Sequence, residues 1–242
     1  MELYNEDCFD VLPKIQNNTI DLVVVDLPYN QTACEWDVGL DLNLMWIELK
    51  RICKPNTTFC FFTTTKFGNK LINSNPKWFR YDLVMEKARA VGFLSAKKMP
   101  MRSHEMIYIF GNPSGGKKIY NVQKTQGAKP YDRGNCASPA KVYGLNPDDD
   151  QVIEKKNTDG TRYPRSVMKT YFHNSNLIHP TQKPVEILEF LIKSYSNEGD
   201  TVLDFCMGSG STGEASKKNS RFFIGIEMNK EYFDKASKRL EG

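Results

Sequence analysis

Asp26-Leu27-Pro28-Tyr29 gathers a carboxylate, a proline without an N–H and an aromatic ring within four positions. It follows directly on Ile20, Leu22, Val23, Val24 and Val25, a run with the length and branching of a buried strand. A strand that ends on an acid and turns at once presents that acid at a sheet edge. There the Asp26 carboxylate and the Leu27 carbonyl are hydrogen-bond acceptors, Pro28 fixes the turn, and Tyr29 offers a flat face. These groups suit a planar, amine-bearing ring, whose N–H groups meet the acceptors while the aromatic stacks on it. Taken alone, the four residues fit an ordinary strand-end turn with a packed tyrosine.

The stretch "TVLDFCMGSGSTGEA" supplies a second set of chemical groups. A buried strand ends at Asp204, and Gly208, Gly210 and Gly213 lead into a helix. Such glycines let the backbone approach a ligand, and the helix start offers free N–H groups. A P-loop is excluded, because Glu214 and Ala215 stand where lysine and Ser/Thr would be needed. Glu227 ends the next strand, 19 residues after Gly208, a position where a carboxylate accepts from ribose hydroxyls. The plainer reading of Glu227 is an acid before the helix "MNKEYF"; the spacing favours ribose. A nicotinamide-dependent enzyme is compatible with the glycines alone.

The elements that must position these groups alternate in type. "LDLNLMWIELKRIC" has apolar residues at helical spacing, whereas "TTFCFFTT", "FRYDLVMEK" and "EMIYIFG" read as strands. A short strand near Leu3-Tyr4 and a helix from about Asp7 precede them. Towards the C-terminus, "PVEILEFLIKSY" predicts a helix, "DTVLDF" a strand, "STGEASKKN" a helix, "RFFIGIE" a strand and "KEYFDKASKRL" a helix. This alternation predicts an α/β fold, a mostly parallel sheet with helices on both faces. Only 15 residues follow Glu227, so the remaining strands of that sheet come from the N-terminal part.

Residues 112–175 lack such periodicity and are rich in Gly, Pro, Asn and Lys. The chain carries a modest +4, but unevenly: residues 97–175 hold 14 Lys/Arg against 7 Asp/Glu. Tyr120, Tyr131, Tyr143, Tyr163 and Tyr171 are interleaved with these charges. A solvated loop is the bland reading and a nucleic-acid surface the favoured one, with Lys117, Lys118, Lys124, Lys129, Arg133, Lys141, Arg162 and Arg165 as candidate contacts. The six cysteines form no CxxC pair and predict buried free thiols rather than disulfides or zinc ligands. Neither a signal peptide nor an apolar stretch of membrane-spanning length is present, which predicts a soluble, cytoplasmic protein.

Together these stretches resemble the β-class, circularly permuted DNA amino-methyltransferases, which act on N6 of adenine or N4 of cytosine. "DLPY" at 26–29 is similar to the family's catalytic motif, and "DFCMGSGSTG" at 204–213 to its cofactor loop. "HPTQKP" at 179–184 looks like its cofactor-flanking motif and "YNEDC" at 4–8 like a strand end that contacts the cofactor adenine. Leu27 replaces the motif's first proline, and Cys206-Met207 precede Gly208 where most members have Phe and a small residue.

The resemblance implies a Rossmann-like methyltransferase domain over 1–242, with 112–175 as a target-recognition insert. It implies S-adenosylmethionine as cofactor, no metal, and double-stranded DNA as partner, with the target base flipped out onto Tyr29. Asp26, Leu27, Pro28 and Tyr29 become the catalytic candidates. Asp7, Cys8, Asp26, His179, Thr181, Lys183, Pro184, Asp204, Cys206, Gly208, Gly210, Thr212, Glu227 and Met228 become the cofactor candidates. Asp7 has a competing role as a helix cap. Asp rather than Ser at position 26 favours adenine; N4-cytosine transfer and an inactive DNA-binding homologue are the alternatives. A homodimer and a restriction-system or phage context are compatible with the family.

Overall fold

The computed structural model describes residues 1–29, 39–127, 129–137, 152–170 and 182–241. Contacts divide them into one unit of residues 1–121 and 166–242 and a second of 122–165. The first unit begins β1 (Glu2–Tyr4), α1 (Cys8–Val11), β2 (Ile20–Asp26), α2 (Leu42–Ile52), β3 (Cys53–Thr63) and α3 (Thr65–Ser74). The long strands β4 (Phe79–Val91) and β5 (Arg102–Gly111) follow. The second unit holds β6 (Thr125–Gln126), β7 (Tyr131–Ala137), β8 (Val152–Asn157) and β9 (Thr161–Arg162). The chain then returns through β10 (Val167–Lys169), α4 (Val185–Tyr195), β11 (Thr201–Asp204), α5 (Ser211–Lys218), β12 (Phe222–Ile226) and α6 (Lys230–Glu241).

Eight strands of the first unit form one sheet in the order β1-β12-β11-β2-β3-β5-β4-β10. All neighbours are parallel except β5, which is antiparallel to both β3 and β4. The run 22–25 is apolar throughout because both of its faces are covered. Val23 and Val25 pack with Met45, Leu49 and Phe67 from α2 and α3, whereas Leu22 and Val24 pack with Leu188, Leu191 and Leu240 from α4 and α6. Strand alternation sends neighbouring residues to opposite faces, so a doubly covered strand loses the polar half of its pattern.

In the second unit β6 pairs with β9 and β7 with β8, each as an antiparallel ribbon. Thus the described residues of 112–175 form short strands, four in these ribbons and β10 in the large sheet, in a sequence without visible periodicity. Ribbons of two strands bury little, so their residues need not alternate between apolar and polar. Among the described residues no helix is long and apolar enough to cross a membrane. Cys8, Cys53 and Cys60 are buried free thiols, and Cys206 is a half-buried one.

Candidate functional site

Parallel strands that end at one edge of a sheet leave a crevice outside their carboxyl ends. Asp26 ends β2, Asp204 ends β11, and Glu227 directly follows β12. All three line one cavity, together with Leu27, Pro28 and Tyr29 of the strand-end turn and Cys206, Gly208 and Thr212 of the glycine loop. Stretches some 180 residues apart in the chain therefore share a single space.

Both carboxylate oxygens of Asp26 are held. Tyr29 Oη donates to Oδ1 at 2.5 Å, and Lys183 Nζ lies 2.7 Å from Oδ2. Lys183 is buried, 3.1 Å from Glu105 Oε2 and 5.2 Å from the centre of the Phe62 ring. Lys87 forms a further ion pair with Glu105. Burial alone would push the Lys183 ammonium down, but the carboxylates of Asp26 and Glu105 outweigh it and hold the group above the usual lysine value. Burial likewise works to raise Glu105, yet Lys183 and Lys87 keep it below its ordinary value. Charge thus alternates along Asp26, Lys183, Glu105 and Lys87. A carboxylate has about four lone-pair sites, so Asp26 keeps acceptor capacity for a ligand.

Asp204 accepts from the Cys206 N–H at 3.1 Å and from Thr212. Burial nevertheless raises its carboxyl to about 7, and the nearby charges of Asp26 and Glu227 add to this. Folding therefore takes up a proton at Asp204 between the ordinary aspartate value, about 3.9, and about 7. The group's contribution to stability is complete below that window and is lost as pH rises through it. Asp204→Asn should remove up to about 1.4 kcal/mol per pH unit of this decline. Denaturant unfolding at several values between pH 5 and 8 checks it; parallel curves for variant and wild type would reject the assignment.

Glu227 accepts from the Gly208 N–H at 3.0 Å and the Asn229 N–H at 2.8 Å, and burial raises its pKa. The carboxylate thereby ties the glycine loop to the end of β12. Gly208 sits at φ +50° with open space where a Cβ would stand. Gly213 differs: a Cβ there would come within 2.7 Å of the Phe223 ring and 2.9 Å of Leu240. Gly208 keeps the cavity wall open, whereas Gly213 allows α5 to pack closely.

The other expected positions divide between the cavity and places outside it. Asp7 caps α1, accepting from the Phe9 N–H at 2.8 Å, and does not line the cavity, although Cys8 does. Lys183 and Met228 line it; Pro184 caps α4 and Gly210 caps α5 outside the lining. His179, Thr181, Lys141 and the loop 30–38 lie outside the described residues, as does the side chain of Arg133.

Lys117, Lys129 and Arg165 are exposed, and Lys124 is exposed with Asp159 at 3.8 Å. Two of the candidate phosphate contacts are engaged within the protein. Lys118 donates to the Pro55 carbonyl at 2.7 Å. Arg162 donates to Asn157 and to the carbonyls of Gly160, Thr161 and Lys129, with its guanidinium over the Tyr131 ring. A planar five-donor group can bring several loop carbonyls together, a use that its sequence position does not reveal.

The acids Glu105, Asp26, Asp204 and Glu227 and the single base Lys183 among the lining residues make the cavity suited to a cationic ligand. Among the described residues no group of three or more His, Cys, Asp or Glu is arranged to hold a metal ion.

The family described as DNA methylase, N6_N4_Mtase, matches residues 20–238. The type II methyltransferase M1.MboII of Moraxella bovis is 28% identical over 256 residues, covering 98% of this chain and 95% of that protein. M2.DpnII of Streptococcus pneumoniae is 52% identical over 63 residues, 26% of this chain. The M1.HpyAVI–SAM complex superposes with a TM-score of 0.64 and 22% identity, covering 99% of each chain. The cytosine-N4-specific PvuII DNA methyltransferase does so with a TM-score of 0.66 and 16% identity, covering 98% of this chain and 85% of that one.

Proposed function

Because the chain belongs to the N6/N4 DNA methylase family, we propose that it methylates the N6 amino group of adenine in double-stranded DNA, using S-adenosylmethionine. The observation that carries this reading is the shared cavity, in which the Asp26–Tyr29 turn and the glycine loop face the same space. The residues fit the cofactor: an acidic lining suits a sulfonium cation, and Gly208 leaves its wall clear. Glu227 keeps lone pairs for the ribose hydroxyls beyond the two amides it holds. When bound, the cofactor supplies an electrophilic methyl group.

The protein's task is to prepare the amine. Adenine N6 is a weak nucleophile because its lone pair is delocalised into the ring. The Asp26 carboxylate and the Leu27 carbonyl accept hydrogen bonds from its two N–H groups and favour a tetrahedral nitrogen. Lys183 and Tyr29 keep the carboxylate fixed, so little reorganisation is needed when charge develops on the amine. Tyr29 and Pro28 bound the base, which reaches the cavity only after leaving the duplex. In this reading the 122–165 unit contributes to the choice of DNA site, with Lys129 and Arg165 contacting phosphate.

Nucleoside mass spectrometry of plasmid DNA incubated with the protein and S-adenosylmethionine tests the assignment. N6-methyladenine is expected. N4-methylcytosine would replace the substrate while leaving the chemistry at Asp26 unchanged. Glu227→Ala should weaken cofactor binding by about tenfold or more, the loss expected for hydrogen bonds to a charged acceptor. Calorimetry is the check, and unchanged affinity would reduce Glu227 to a residue that only ties down the loop.

A further inference from the structure

Strands β4 and β5, antiparallel to each other, extend past the edge at which the site lies. In the pairing of β3 with β5, Asp26's neighbour Phe62 stands opposite Ile107 and the last residue, Thr63, opposite Met106. Residues 102–104 of β5 and 87–91 of β4 therefore run beyond the carboxyl end of β3 and past the last β10 pairing, at Glu86, as an arm. Its base is the cavity wall itself, because Glu105 lines the cavity and Lys87 pairs with Glu105. At about 3.3 Å per residue, the turn starts roughly 10 Å beyond Glu105.

The composition of this arm is unusual for an exposed hairpin. Between Glu86 and Glu105, which pair with Lys169 and Lys87, it holds Lys87, Arg89, Lys97, Lys98 and Arg102 and no further acid. Four of the five are exposed. At the tip, Phe93 is 79% and Leu94 99% exposed, with Met99 at 61%. A basic collar around bare apolar side chains complements a polyanion whose interior is stacked and apolar. Proteins that bend or open DNA use such wedges between base steps, with Lys and Arg on the flanking phosphates.

We propose that the β4–β5 hairpin tip is a DNA-opening wedge: Phe93 and Leu94 enter the duplex beside the target base, and Lys97 and Lys98 grip the adjacent backbone. The inference rests on the reading that the base leaves the duplex to reach Asp26. The wedge offsets stacking lost by the neighbours of that base, and it stands at the edge of the cavity that receives it.

The test uses the full chain, because all four side chains are exposed and their replacement leaves the core intact. Lys97→Gln/Lys98→Gln should lower the slope of log affinity against log salt for a mixed-sequence duplex by about 2, near 0.9 per lost phosphate contact. Phe93→Ser/Leu94→Ser should keep that slope and the cofactor affinity but reduce methyl transfer into plasmid DNA by about tenfold or more. If the wild type transfers methyl groups and both variants match it in rate and slope, the wedge is overturned and the methyltransferase reading stands. A wild type that transfers none would overturn that reading instead. Conversion of a dimer to a monomer in sedimentation, with rate and slope unchanged, would overturn the wedge by making the tip a contact between copies.

Discussion

Asp26→Ala should abolish methyl transfer, lowering turnover by about 10²–10³-fold or more, while S-adenosylmethionine still binds. The carboxylate lies at the end of β2 with one oxygen on Tyr29 and the other on Lys183, an arrangement that fixes its direction before any substrate arrives. Fixed acceptors act where charge develops on the amine, so their loss appears in turnover rather than in cofactor affinity. The glycine loop is held independently by Glu227 and by the end of β11, and it survives the substitution. Asp26→Asn is the sharper companion, since it keeps the shape and one acceptor oxygen but removes the charge. Radiolabelled transfer into plasmid DNA, with calorimetric titration of the cofactor, separates the two effects. Turnover near that of the wild type in either variant would remove Asp26 from the mechanism.

Replacement of Lys183 has the second-largest expected effect, and it combines stability with activity. Lys183→Met leaves Asp26 and Glu105 on either side of a space with no cation between them. Removing one partner of a buried ion pair typically costs about 3–5 kcal/mol, and the loss here falls mainly on Asp26, since Glu105 keeps Lys87. Turnover should fall as well, since Asp26 loses the group that holds Oδ2. Glu105→Gln in the Lys183→Met background removes the repulsion between the two carboxylates and should restore part of the stability. It should restore little of the activity, because Asp26 remains unsupported. Denaturant unfolding and single-turnover transfer on the two variants and the wild type check both parts. Equal stability of Lys183→Met and wild type would show that the ammonium is dispensable to the fold.

The β2 run and its terminal acid were legible because a doubly covered strand has no polar alternation to hide it. The helices α2, α4, α5 and α6 were legible from their spacing, whereas α3 was not foreseen. Its sequence, TKFGNKLINS, buries only Phe67, Gly68 and Leu71, and glycine lowers helix propensity. Gly68 is there for tertiary reasons: a Cβ would come within 2.4 Å of Tyr108 Cε2. Asp26 could be identified as an end-of-strand acid, but its partners could not. Glu105 opens the strand EMIYIFG with no local sign of a partner, and only the antiparallel return of β5 brings it to Lys183. Lys183 was expected beside the cofactor because it falls in a flanking motif, and its contact with Asp26 had no local sign. Asp7 shows the opposite limit, since the local capping pattern described its observed contact without any reference to a ligand.

The sheet order also sets a timetable for biosynthesis. Among the described residues β1 pairs only with β12, and β2 lies between β3 and β11, so two N-terminal strands wait for partners about 180 to 220 residues later in the chain. Contacts this distant in sequence raise contact order and slow the search for the native pairing. Until residues 201–226 have left the ribosome, one edge of β2 with its run of valines has no native neighbour. An apolar strand with an open edge is a site for pairing with other chains, which makes the nascent protein vulnerable to aggregation during that interval.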